Sequence, residues 1–214
     1  MFEEDKDKIN LVNFLEKSGY IKSENVKKAF LKISRENFIP TKLKKQAYLD
    51  SPLEIGNGQT ISAPHMIAIM CELLELKKGQ KVLEIGTGSG YHASIVSNII
   101  GDLGNIYSVE RIDNLAKTAE RNIKKEGIKN ISIKVGDGSE GLDEFKPYDR
   151  IYVTCASPDI PQALIDQLKD PGMILIPVGR TFCKLKKLEK KSNTIKIENI
   201  CECAFVPLIG KYGH

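Results

Sequence analysis

The run Val82-Leu-Glu-Ile-Gly-Thr-Gly-Ser-Gly-Tyr91 is the first place where residue types and spacing suggest chemistry. Gly86, Gly88 and Gly90 let a backbone turn sharply at a strand–helix junction and approach a ligand, whose polar end can use free amides at the helix start. With Thr87 and Ser89 between them they spell GxGxG, not the GxGxxG of a dinucleotide phosphate loop, and no GxxxxGK[ST] of a nucleoside triphosphatase is present. Glu84 adds a carboxylate under the turn, which repels a pyrophosphate and suits an ammonium or sulfonium. Glu110 follows Gly90 by 20 residues, where nucleoside-binding α/β proteins place an acid on the ribose hydroxyls. Gly136-Asp137-Gly138 closes a third strand, from which Asp137 and Gly138 can reach an adenine edge; a helix N-cap competes for Asp137. Three acids on consecutive strand ends beside a glycine turn describe a phosphate-free nucleoside with a cationic end. S-adenosylmethionine has that chemistry.

A parallel sheet must hold these groups. From residue 81 strands and helices alternate: a strand over 81–85, a helix to about 100, a strand over 105–110 and a helix to about 126. Strands then follow over 131–135, 149–154 and 172–178, with a helix around 160–168 before the last. Two β-rich runs, 185–190 and 194–207, close the chain without a helix between them. The pattern predicts a doubly wound parallel sheet with an antiparallel C-terminal edge. Upstream, Leu11, Val12, Phe14 and Leu15 give one helix an apolar face. Ser23 can cap a second helix carrying Val26, Ala29, Phe30, Leu31 and Ile33. Residues 50–65 read as a long loop, too rich in apolar and small residues for a linker, feeding a helix over 64–76.

Composition narrows the class. The 214 residues suit one embellished α/β domain, and 41% hydrophobic with 28% charged residues excludes a disordered or collagen-like chain. No apolar run is long enough to span a bilayer, and the charged start is unlike a signal peptide, so a cytoplasmic protein without membrane partners is expected. Five cysteines without a CxxC pair, and three histidines without ligand spacing, argue for reduced thiols and no metal site. Cys201 and Cys203 read as inert thiols on opposite faces of a strand. The net charge of +4 is uneven: residues 51–180 hold 14 basic and 17 acidic groups, whereas residues 181–214 hold 7 and 3. A mildly acidic centre speaks against nucleic acid over the site.

Several segments together resemble the protein-L-isoaspartate O-methyltransferase family: Ile55-Gly-x-Gly-Gln-Thr-Ile-Ser-Ala-Pro-His65, the glycine turn, Gly136-Asp-Gly138, Asp149-Arg-Ile-x-Val-Thr154, Ile176-Pro-Val-Gly179 and Phe205-Val-Pro-Leu208. The resemblance runs from about residue 30 to 210. It implies a Rossmann-like S-adenosylmethionine-dependent methyltransferase domain over 1–214. Within it, residues 1–61 form a helical and loop cap, 62–180 the cofactor-binding core and 181–214 a β hairpin. It also implies methyl transfer to the α-carboxylate of isoaspartyl residues in damaged proteins; a monomer is expected. Ser62 is then the active-site serine, and Thr60, Ser62 and His65 line the place where the substrate carboxylate meets the methyl donor. Val178 lies in a wall of the substrate site. Glu84, Gly86, Thr87, Gly88, Ser89, Glu110, Asp137 and Gly138 match the cofactor-binding segments. Asn57, Cys155, Ser157 and Lys184 depart from the family's pattern.

For this chemistry a carboxylate nucleophile needs no strong base, because it is already ionised at neutral pH. Positioning and water exclusion remain as levers. Ser62 suits orientation of a carboxylate oxygen; no GxSxG elbow marks it as a nucleophile. A structural capping role competes for His65. The alternatives are methylation of RNA or a small molecule, a non-catalytic adenosine-ligand sensor, and an NAD-dependent enzyme. Thr154-Cys-Ala-Ser-Pro158 lacks the Asn/Asp-Pro-Pro-aromatic motif of base amino-group methylation. The lysines of 184–196 read as the solvated face of an edge hairpin. Glycine spacing and Glu84 disfavour NAD.

Overall fold

Two amphipathic helices open the chain, of which this computed structural model describes residues 3–180 and 182–214. The first, α1 (Glu3–Lys17), buries Leu11, Val12 and Leu15, and α2 (Glu24–Lys32) buries Val26, Ala29 and Phe30. Phe14 is half exposed, because the buried stripe passes through 11, 12 and 15 and leaves it on the flank. Ser23 stands at the N-cap of α2, but its hydroxyl donates to Glu72 Oε1 instead of accepting a helix amide. The amides of Lys22 and Ser23 donate to the same oxygen.

The segment expected as a loop contains a hairpin. β1 (Leu53–Gly56) pairs antiparallel with β2 (Gln59–Ile61), and Gly56 faces Gln59 across the turn Asn57-Gly58. Both turn residues have positive φ, 53° and 69°, the type I′ geometry that Asn-Gly favours. Asn57 therefore serves the turn. The following helix, α3 (Pro64–Leu73), ends three residues before the expected boundary and carries Glu72, which ties it to the start of α2.

The main sheet follows in β3 (Lys81–Ile85), α4 (Tyr91–Ile100), β4 (Asn105–Glu110), α5 (Asp113–Lys125), β5 (Ile131–Val135), β6 (Tyr148–Val153), α6 (Gln162–Asp166), β7 (Leu168–Gly179), β8 (Cys183–Lys191) and β9 (Thr194–Cys203). Its strand order is β5-β4-β3-β6-β7-β8-β9. The first five of these are parallel, and β8 and β9 add an antiparallel edge. Successive side chains of each central strand enter opposite cores, as a period of two requires. Val82, Tyr152 and Leu175 join the core shared with α1–α4, while Leu83, Ile151 and Ile174 join the core on the other face. Strand order reverses at β3, with β4 on one side and β6 on the other, and a crevice opens there beyond the carboxyl ends of the strands.

The same period corrects the reading of the C-terminal thiols. Residues two apart share a face, so Cys201 and Cys203 lie on one side of β9, both against the core, with Cys203 opposite Cys183 of β8. All five cysteines are free. Among the described residues no helix is long and apolar enough to cross a membrane.

Candidate active site

The glycine turn joins β3 to α4, and its backbone adopts left-handed φ of 91° at Gly86 and 56° at Gly88. A Cβ on Gly86 would collide with Thr154 Oγ1 of the neighbouring strand end, so a larger residue has no room there. Glu110, at the end of β4, fastens the turn: its Oε2 accepts the Gly88 amide and its Oε1 the Ile112 amide, each at 2.9 Å. These groups line a cleft of about 800 Å³, part of it open to solvent. Thr60 and Ser62 line it from the end of β2, and Val206 to Ile209 close another side. Ile55 of β1 packs over the Gly88 backbone.

Eight residues named from the sequence meet around this cleft: Thr60, Ser62, Gly86, Thr87, Gly88, Ser89, Glu110 and Gly138. Four do not. Glu84, expected to face a cationic ligand, is fully buried beneath the turn. Ser108 Oγ donates to its Oε2, and Tyr152 Oη donates to its Oε1 at 2.8 Å. Burial, against the pull of these two hydroxyls, pushes its pKa up to about 8. Burial thus disfavours its charge, and the side chain is braced between β4 and β6 instead of lining the cleft.

Asp137, expected at an adenine edge, caps the 3₁₀ turn Gly138–Glu140, the competing role considered for it. Its Oδ1 accepts the Ser139 amide and hydroxyl, and its Oδ2 accepts the Lys211 amide at 2.7 Å. Burial works against its charge, but these donors prevail and hold the carboxyl below the usual carboxylate range. His65 lies outside the cleft lining: its Nδ1 meets Asp50 at 2.9 Å, and its amide donates to the same carboxylate at the start of α3. Val178 sits opposite Lys184 in the sheet and bridges to Ser157, also away from the cleft.

Arg35 was not signalled by spacing. Its guanidinium is fully buried and donates to the carbonyls of Ala47 at 2.7 Å and of Ser51 and Ser62 at 3.0 Å. One side chain thus holds both ends of the hairpin segment, including the serine of the cleft. Thr154 and Cys155 line the cleft from the end of β6; their place at a parallel strand's carboxyl end is a signal that sequence alone carries. Val206 to Leu208 stand in the sequence only as a segment of the family resemblance, with no sign that they close the cleft.

The model of the protein-L-isoaspartate(D-aspartate) O-methyltransferase family matches residues 6–213. The chain belongs to this family. It is 51% identical over 203 residues to a protein-L-isoaspartate O-methyltransferase of Methanococcus aeolicus, covering 95% of this chain and 94% of that protein. With the enzyme of the same name from Hyperthermus butylicus it shares 48% identity, covering 95% and 88%. Among solved structures, a protein-L-isoaspartate O-methyltransferase superposes with a TM-score of 0.88 at 33% identity, over 96% of this chain and 67% of that one. A Plasmodium falciparum protein described as a putative member, in complex with S-adenosyl-L-homocysteine, gives a TM-score of 0.84 at 26% identity, over 94% and 97%.

The cleft of this family member fits the methyl donor on its own geometry. The backbone of Gly86 to Ser89 borders the cleft, and Glu110 presents a carboxylate at the lining. Ser89 Oγ and His92 Nδ1, both buried and both on lining residues, have no hydrogen-bond partner among the described residues. Buried polar atoms are almost always hydrogen-bonded, so these two call for a partner that the chain does not supply.

Proposed function

We propose that this chain transfers a methyl group from S-adenosyl-L-methionine to the α-carboxylate of L-isoaspartyl residues in damaged proteins and peptides, which begins their repair to aspartate. The carrying observation is membership of the family over residues 6–213, with the Thr60–Ser62 strand end facing the glycine turn across one cleft. When bound, S-adenosylmethionine supplies an electrophilic methyl on a sulfonium whose departure leaves a neutral thioether. The protein's task is alignment, since two oriented reactants gain about 7–11 kcal/mol over free encounter.

In this reading the Ser62 hydroxyl donates to one carboxylate oxygen of the substrate and leaves the other in line with the methyl. A neutral donor does this without neutralising the nucleophile. Arg35 fixes the Ser62 backbone, so the hydroxyl is held on a rigid element. Glu110 receives the ribose hydroxyls, while Gly86 to Ser89 and Gly138 form the bed of the nucleoside and amino-acid ends. Thr60 borders the substrate side. Leu208 and Ile67 exclude water from the reacting atoms. Free thiols support a cytoplasmic setting, and the mildly acidic middle of the chain speaks against nucleic-acid partners.

The test compares one peptide containing isoaspartate with its aspartate isomer, for the wild type and Ser62→Ala. Methyl esters form on the isoaspartyl peptide alone, and the variant turns over about 10- to 100-fold more slowly, the worth of one hydrogen bond to a charged group. Equal labelling of both isomers overturns the assignment.

A further inference from the structure

His92 stands in the first turn of α4 and is 7% exposed. Its ring is clamped between Tyr152, with ring centroids 4.5 Å apart, and Cys71, whose Sγ lies 3.6 Å from Nε2. Tyr152 is in turn anchored on Glu84. The imidazole is thus oriented by groups outside the cleft, while its Nδ1, on a residue that lines the cleft, has no partner in the described chain. Burial pulls its pKa down to about 3, so the ring is neutral, and burial pushes the Cys71 thiol up, so that group keeps its proton. With the thiol donating to Nε2, the ring proton is on Nδ1. Three residues earlier, on another residue that lines the cleft, Ser89 Oγ is likewise buried and unpartnered. Two orphaned donors at the electropositive start of a ten-residue helix suit an acceptor with two oxygens.

We propose that His92, with Ser89 beside it, binds the carboxylate at the amino-acid end of the methyl donor. The inference rests on the reading of the cleft as the methyl donor's site. Glu110 and Gly138 take the opposite end of that ligand, so His92 sets how far the sulfonium sits from Ser62.

Two amides distinguish the ring nitrogens: Asn places its NH₂ near the Nδ1 position, whereas Gln reaches towards Nε2. Titration calorimetry measures binding of S-adenosyl-L-homocysteine, and of its analogue lacking the carboxylate, to the full chain. His92→Gln weakens S-adenosyl-L-homocysteine about 10- to 100-fold and leaves the analogue within about threefold. His92→Asn stays within about threefold of wild type for both ligands. Equal weakening of both ligands by His92→Gln reveals a packing role and overturns the inference. So does indifference of both ligands to either variant, or a raised KM for the isoaspartyl peptide with the ligand affinities unchanged. Should the wild type bind neither ligand, the reading of the cleft itself fails.

Discussion

Residue environments decide which acids of this site are charged. Glu84, Glu110 and Asp137 look alike as three acids on successive strand ends, yet only Glu110 lines the cleft. Glu84 has its pKa raised above the ordinary value of 4.5 to about 8, chiefly by burial. The folded state therefore binds more protons than the unfolded state between these two values. Its contribution is fully present below about pH 4.5 and is lost as pH rises through about 8, by at most about 1.4 kcal/mol per pH unit. Glu84→Gln does not titrate. Thermal melts at pH 5, 7 and 9 are expected to show the wild type losing stability relative to this variant as pH rises. Parallel melting profiles would mean that Glu84 ionises at its ordinary pKa.

At the scale of elements, the hairpin over 53–61 shows how local chemistry and distant packing divide the work. Asn57-Gly58 is a two-residue turn that the loop reading of 50–65 passes over, and its flanking residues pair as that turn demands. What holds the hairpin against the sheet was not legible, because Arg35 is remote in sequence and reaches the Ser62 carbonyl by tertiary packing alone. Arg35→Met leaves the carbonyls of Ala47, Ser51 and Ser62 without their donor, with a cost of about 1–3 kcal/mol for each that stays dry. The expected result is a lower melting temperature and a fall of about 10- to 100-fold in kcat/KM for an isoaspartyl peptide. Calorimetry should find S-adenosyl-L-homocysteine binding changed by less than about threefold, since Arg35 holds the Ser62 backbone and not the glycine turn. Equal loss of both would assign Arg35 to general stability.

For the whole molecule, the C-terminal segment completes the cleft. After β9 the chain returns so that Val206 and Leu208 bond to Ala156, and Asp137 and Ser139 bind the amides of Lys211 and Tyr212. Asp137 thereby latches the tail that closes one side of the cleft. Deleting residues 210–214 and substituting Asp137→Ala each remove this latch. Each should weaken S-adenosyl-L-homocysteine binding by a similar factor of about 3 to 10, and the combination should add little, because coupled sites are not additive. Direct contact between Asp137 and the ligand would instead make the two effects multiply. The lysine-bearing edge is a whole-molecule feature too: the charges of Lys184, Lys186 and Lys191 decorate the added strands beyond the parallel sheet.

The order of strands and helices from residue 81 onward, and the family with its glycine turn, were determined by sequence alone. Period-two and period-3.6 patterning acts between near neighbours, and the motifs are contiguous. Tertiary structure decided which groups line the cleft. It turned Glu84 into a buried brace, gave Asp137 to the tail and His65 to Asp50, and brought Val206–Ile209 and His92 to the cleft. The physical reason is that burial and hydrogen-bond competition depend on partners tens of residues away. A side chain's charge and direction are settled only when those partners arrive.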